Sequence, residues 1–308
     1  VWLNLIILTV KDFKPERQVL KVCISVMLSF LGSLPAVAQP DAALTPVQYQ
    51  SSLNAMKSLL LSSMSKEERS SLSDVSCIVV SRNQFDPLKV RGYIEVGTGT
   101  PIIEFSSHFC EVVHYMGVAM ILNRQLKLDD FPDKYFKYLL KATAEKTYLK
   151  TPSQYLGLKK DEVDNAFSDD VVKEFNVAVS HSIFFVLAHE FAHHLKDHLA
   201  LPAETSQERL AQEVEADEWA IEMCLRNNIV PMMATVSLYP LGFFENHSKS
   251  EQNSYPPVYW RIIHAAYLTD KYVKKNAGKL RSVGENPNRY RQMTIDLIYD
   301  FADKLDGH

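Results

Sequence analysis

Apolar positions repeat with a helical period over most of the chain and with a strand period over one short stretch. Leu44, Val47, Leu53, Met56, Leu59 and Leu60 are spaced for one face of a helix over 45–64, and the polar run SKEERSSLSD behind it reads as a connection. SCIVVS (76–81) and VRGYIEVGTGTPIIEFS (90–106) are rich in β-branched residues, with Gly97, Gly99 and Pro101 marking a turn between two arms. The arm TPIIEFS (100–106) suits either a sheet edge that pairs with an extended peptide or an ordinary core strand. Helical periodicity resumes at His108 and predicts helices near 107–126, 133–149, 169–199, 206–227, 257–276 and 287–305. No internal repeat and no low-complexity linker interrupts the pattern. The expected fold is α+β and mainly α-helical, a single domain over 39–308 with a small β-sheet near residues 76–106.

Residues 1–38 stand apart from this pattern. Lys11, Lys14, Arg17 and Lys21 precede the apolar run VCISVMLSFLGSL (22–34), and Ala36-Val37-Ala38 fits small-x-small cleavage before Gln39. The segment reads as a bacterial signal peptide, with residues 1–18 as an upstream extension, and its removal implies a periplasmic or secreted protein. Its apolar run falls short of the roughly 20 residues that span a bilayer. Left uncleaved it would be a membrane anchor, or the protein would remain cytoplasmic. In an oxidising compartment Cys77 and Cys110 either pair or persist as buried thiols. The net charge of −4, with no basic stripe, argues against nucleic acid as a partner.

The chemistry lies in VLAHEFAHHLKDH (186–198). His189, Glu190 and His193 spell H-E-x-x-H, and on a helix an i, i+4 pair projects from one face, close enough to hold one metal ion. Glu190 sits among Phe185, Leu187, Ala188, Phe191 and Ala192, where a buried charge is costly unless a cation compensates it. Two His need at least a third protein ligand to hold zinc, and a catalytic site leaves one position for water. On a continuous helix His194 and His198 lie roughly 100° and 140° around from His193 and cannot share its metal. His198 then reads as a buried structural histidine or a polar tip, and His181 as packing or surface.

A second helix, TSQERLAQEVEADEWAIEMCLRNN (205–228), opens with Thr205 and Glu208 as a capping box. On its wheel only Glu213 and Asp217 share the apolar face with Leu210, Val214, Ala220, Ile221 and Cys224. Glu208, Glu215, Glu218, Glu222 and Arg226 gather on the opposite face, which reads as solvated.

H-E-F-A-H followed by Glu213 in EVEAD is similar to the gluzincin zinc metallopeptidases, and LAHEFAHHLKDH with EVEADEWA most resembles the HtpX-like and CAAX-prenyl-protease-like branch. The resemblance covers roughly residues 183–262. It implies a zincin-like catalytic domain with one Zn²⁺ per chain, ligands His189, His193 and Glu213, Glu190 as general base, and Asp217 as the carboxylate orienting a ligand imidazole. The multi-span membrane helices of those relatives are not seen, so a membrane-embedded chamber is not implied. Where they carry His-Pro and a later Arg, this chain has SYPPVYWRI (254–262). Tyr255 stands for the His there, and reads either as a catalytic oxyanion donor or as packing beside Pro256 and Pro257, with His247 or Arg261 as other candidate donors. The implied function is an exported zinc endopeptidase acting on a protein or peptide substrate. A zinc-bearing binding or chaperone-like module with weak or lost catalysis is the alternative, and a cytosolic peptidase like the phage-exclusion type would require an uncleaved N-terminus.

Overall fold

The computed structural model describes residues 44–81, 89–145, 147–201, 203–227 and 258–282, together with 42, 229, 287, 288 and 292. The signal expected over 1–38, the segment carrying His247 and Tyr255, and all but three positions of the helix expected near 287–305 lie outside the described residues.

Capping chemistry decides where several helices begin. Thr45 and Gln48 form a capping box that starts α1 (Pro46–Ser62), with Pro46 in the first turn where its missing N–H costs nothing. Ser65 and Glu68 form a second box, so the polar run expected as a connection instead folds into α2 (Lys66–Leu72). The Glu68 carboxylate also accepts from the Trp219 indole at 3.4 Å, which ties this short helix to the core.

Three strands follow: β1 (Ser76–Val80), β2 (Val90–Ile94) and β3 (Pro101–Ser106), in the order β1-β3-β2. β2 and β3 form an antiparallel hairpin whose turn uses positive φ at Gly97 (99°) and Gly99 (70°), and β1 adds parallel to β3. The arm 100–106 is therefore the central strand and not an edge. β1 is closed on its outer side by Gln50, whose side-chain amide donates to the Cys77 carbonyl (2.9 Å) and accepts from the Val79 N–H (2.7 Å). Among the described residues, no strand pairs with the outer edge of β2.

The remaining described elements are helical: α3 (Ser107–Gln125), α4 (Phe131–Ala144), the short α5 (Pro152–Leu156) and α6 (Lys160–Ala166), α7 (Asp169–Leu195), α8 (Ser206–Arg226) and α9 (Val258–Ser282), the last kinked at Asn276. The fold is α+β and mainly α-helical. α7 is the central element, packed by α3, α8 and the sheet. Its length and composition alone would suit a bilayer, but here Phe184, Phe185, Leu187 and Phe191 are buried in protein, each contributing about 1.5–3 kcal/mol. α3 approaches α7 at Gly117, where a Cβ would stand 2.9 Å from the side chains of Phe175 and Val179. Cys77, Cys110 and Cys224 are buried free thiols, so of the two readings of Cys77 and Cys110 the unpaired one holds in this fold.

His181, on α7 two turns before the H-E-x-x-H segment, is buried, and neither ring nitrogen has a hydrogen-bond partner among the described residues. Burial lowers its pKa to about 4. Between roughly pH 6.5 and that value the unfolded chain takes up a proton that the fold refuses. Stability from this group is thus complete above about pH 6.5 and falls as the pH drops, by on the order of 3 kcal/mol. Urea unfolding of the wild type and of His181→Leu at pH 7, 5.5 and 4.5 should show a flatter pH dependence in the variant; parallel curves would refute the assignment.

Candidate metal centre and active-site cleft

α7 and α8 cross so that an i, i+4 pair on one meets an i, i+4 pair on the other. His189 and His193 of α7 face Glu213 and Asp217 of α8, and all four side chains are buried. Four of the residues expected to form the site, the three ligand candidates and Asp217, are therefore brought together. His189 Nδ1 lies 2.9 Å from Asp217 Oδ1, and Arg261 of α9 closes on the same carboxylate with Nε to Oδ2 and Nη2 to Oδ1, both 2.7 Å. Burial alone would raise the Asp217 pKa; the Arg261 guanidinium and the His189 bond hold it well below the ordinary carboxylate range. An ionised Asp217 only accepts, so His189 Nδ1 must carry a proton. With a neutral ring, its Nε2 is then left as a lone pair.

That lone pair does not stand alone. His189 Nε2 is 3.0 Å from His193 Nε2 and 3.2 Å from Glu213 Oε2, and His193 Nε2 is 3.7 Å from Glu213 Oε1. Three atoms able to act as acceptors converge on one point, an arrangement that a cation would satisfy. A proton can fill the same place: despite burial, hydrogen bonds to Asp217 and Glu213 raise the His189 pKa to about 10, while burial holds His193 neutral, down at about 3. Tetrahedral ligands at zinc distances of about 2.0–2.1 Å would lie about 3.3 Å apart, and the observed separations straddle that value. The donor set fits a metal of zinc type, with one nitrogen from each His and one carboxylate.

Beside this cluster is a cleft of about 250 Å³, bounded by Val90 and Gly92 of β2, by Phe185 and Glu190 of α7, and by Leu199 and Arg209. Glu190 is partly open to it. Burial pushes the Glu190 carboxyl up to about 7, opposed by His189 and by a hydrogen bond from the Gly92 N–H. In the β2–β3 pairing Lys89 with Ser106 and Glu95 with Thr100 are bonded positions, so Gly92 turns its backbone groups away from β3. A Cβ at Gly92 would stand 3.1 Å from His194 Nε2 and 3.3 Å from Glu190 Oε2, so glycine keeps strand and helix in close register.

His194 points away from the cluster, within hydrogen-bond distance (3.2 Å) of the Ile102 carbonyl, as its angle on the helix requires. His198 is placed differently from the continuous-helix reading. α7 ends at Leu195, Asp197 takes a left-handed φ of 58°, and the His198 N–H bonds back to the His193 carbonyl at 3.0 Å. With Asp197 N–H directed to the His194 carbonyl, this is a Schellman turn. It folds His198 beneath His193, Nδ1 to Nδ1 at 3.0 Å, with His198 Nε2 3.2 Å from Glu215. Glu215, assigned to the solvated face, is half-exposed yet joins the cluster through His198 and bonds Lys196 at 3.0 Å. Gly92, Arg261 as the partner of Asp217, His198 and Glu215 are the members that sequence reasoning did not place.

No curated protein and no solved structure matches this chain. Residues 129–276, which contain both motif helices and Arg261, match the family model for Peptidase U49, and this supports a peptidase, though not the HtpX-like branch in particular.

Proposed function

We propose that the protein is a zinc-dependent endopeptidase with His189, His193 and Glu213 as ligands. The observation that carries the reading is the convergence of three buried acceptor atoms with a glutamate carboxylate beside them in a cleft. Zinc, when bound, supplies an acidified water and polarises the scissile carbonyl. The chain's own residues do the rest. Asp217, clamped by Arg261, fixes the His189 ring. Glu190, aimed by the Gly92 N–H, accepts the water proton and returns it to the leaving amine, a task suited to a carboxyl held up near neutrality. The β2 edge offers backbone groups to an extended peptide, which would run beside Glu190. Tyr255 remains our candidate for stabilising the oxyanion. Export follows if residues 1–38 are cleaved as a signal, which N-terminal sequencing of the mature protein tests.

Glu190→Gln should retain one zinc per chain and fold normally while peptide hydrolysis falls by orders of magnitude. Zinc loss equal to that of a ligand variant would remove Glu190 from the role of base. Full zinc with no turnover by the wild type on varied substrates would favour the binding module instead.

Glu213→Ala should lose the metal, and Asp217→Asn should weaken zinc binding by about 10–100-fold, because a neutral amide both loosens the His189 ring and weakens its tie to Arg261. Metal content after dialysis against a chelator separates the two. Undiminished zinc in Glu213→Ala would refute the ligand set.

Tyr255→Phe should lower kcat by about 10²–10³-fold with zinc content and KM little changed, since an oxyanion donor acts in the transition state. An unchanged kcat would assign Tyr255 to packing.

A further inference from the structure

We propose that His198, backed by Glu215, is the positioning residue for His193: it fixes that ring as the Nδ1–H tautomer and so presents Nε2 to the metal. The inference rests on the zinc reading above for its purpose, and on geometry for its content. The two rings stand 5.1 Å apart at 65°, with Nδ1 facing Nδ1 at 3.0 Å. Two bare nitrogens would repel at that distance, so one must donate.

The far end of the chain sets the direction. His198 Nε2 faces the Glu215 carboxylate at 3.2 Å, and a carboxylate only accepts, so His198 carries its proton on Nε2. When the His198 ring is neutral it offers its Nδ1 lone pair, and His193 donates Nδ1–H to it. His193 Nε2 is thereby left as the acceptor turned toward His189 and Glu213. In a neutral pair the opposite polarity would set a bare His198 nitrogen against the carboxylate and put a proton on His193 Nε2. Lys196, 3.0 Å from Glu215, holds the carboxylate in place at the surface. The Schellman turn explains why this contact forms: residues five apart in that motif are brought side against side, and here they are the two histidines.

The test uses the full chain with zinc as the probe. His198→Leu should weaken zinc affinity by about 10–100-fold in chelator competition. His198→Gln should recover most of it, because an amide oxygen can accept from His193 while its NH₂ donates to Glu215. A purely space-filling role predicts the reverse ranking, with Leu at least as good as Gln, and that result would overturn the proposal. Imidazole ¹⁵N spectra give a readout independent of metal: His193 should be the Nδ1–H tautomer in the wild type and a mixture in His198→Leu. If the wild type binds no zinc, the peptidase reading fails, while the spectra still decide the positioning, an Nε2–H His193 overturning it. Should His198→Leu not fold, Glu215→Ala at the half-exposed end should reduce zinc affinity at unchanged unfolding midpoint, and an unaltered affinity would equally overturn the proposal.

Discussion

Asp217 is a carboxylate almost cut off from water, and a charge in that position persists only when it is paired and hydrogen-bonded. Arg261 takes both of its oxygens and His189 takes one of them again, so α7, α8 and α9 meet at a single carboxylate. A buried ion pair is weak evidence of net stability, because desolvation offsets most of the attraction. Its contribution here is register. Any slide of α8 along α7 would strand a charge in the core, and the crossing is fixed by that cost. The His189 tautomer follows from the same bond, and with it the direction of the lone pair available to a cation.

Much of this arrangement was legible in the chain. An i, i+4 histidine pair and an i, i+4 carboxylate pair, each on the apolar face of its helix, have few ways to be satisfied except by facing each other, and they do. Helix starts were legible where a side chain makes them, as at Thr205 with Glu208. The ends were less so. The wheel that set His198 aside assumed a helix running to 199, whereas a single left-handed residue, Asp197, ends it at Leu195 and reverses the direction of His198. An aspartate after Lys196 was the available signal, since Asp tolerates positive φ better than most residues. Glu215 was misplaced for a related reason: a wheel reports which side of α8 a residue occupies and says nothing of a turn from another helix that reaches round to it.

Long-range partners were the other gap. Nothing in SCIVVS or VRGYI states that Gln50 will close one sheet edge, because that depends on where α1 packs. Likewise, Arg261 is 44 residues from Asp217, and no periodicity links them. Both cases concern polar groups whose satisfaction is decided by tertiary placement, where local propensity is silent.

The small sheet matters more to the site than its size suggests. Helices α7, α8 and α9 can assemble the cluster of His189, His193, Glu213 and Asp217 unaided, but Glu190 turns out of that cluster and, among the described residues, has no side-chain partner on the helices to fix its aim. Its aim comes from the Gly92 N–H, a backbone donor that faces away from β3 on the outer side of β2. A side chain at position 92 would press on His194, Leu199 and Glu190 together and separate strand from helix. The cluster and the carboxylate beside it therefore answer to different parts of the fold. The placement of His189, His193 and Glu213 depends on helix crossing, and the placement of Glu190 depends on how closely the sheet edge is drawn against α7, so packing changes along the β2–α7 seam would move Glu190 without disturbing the other three.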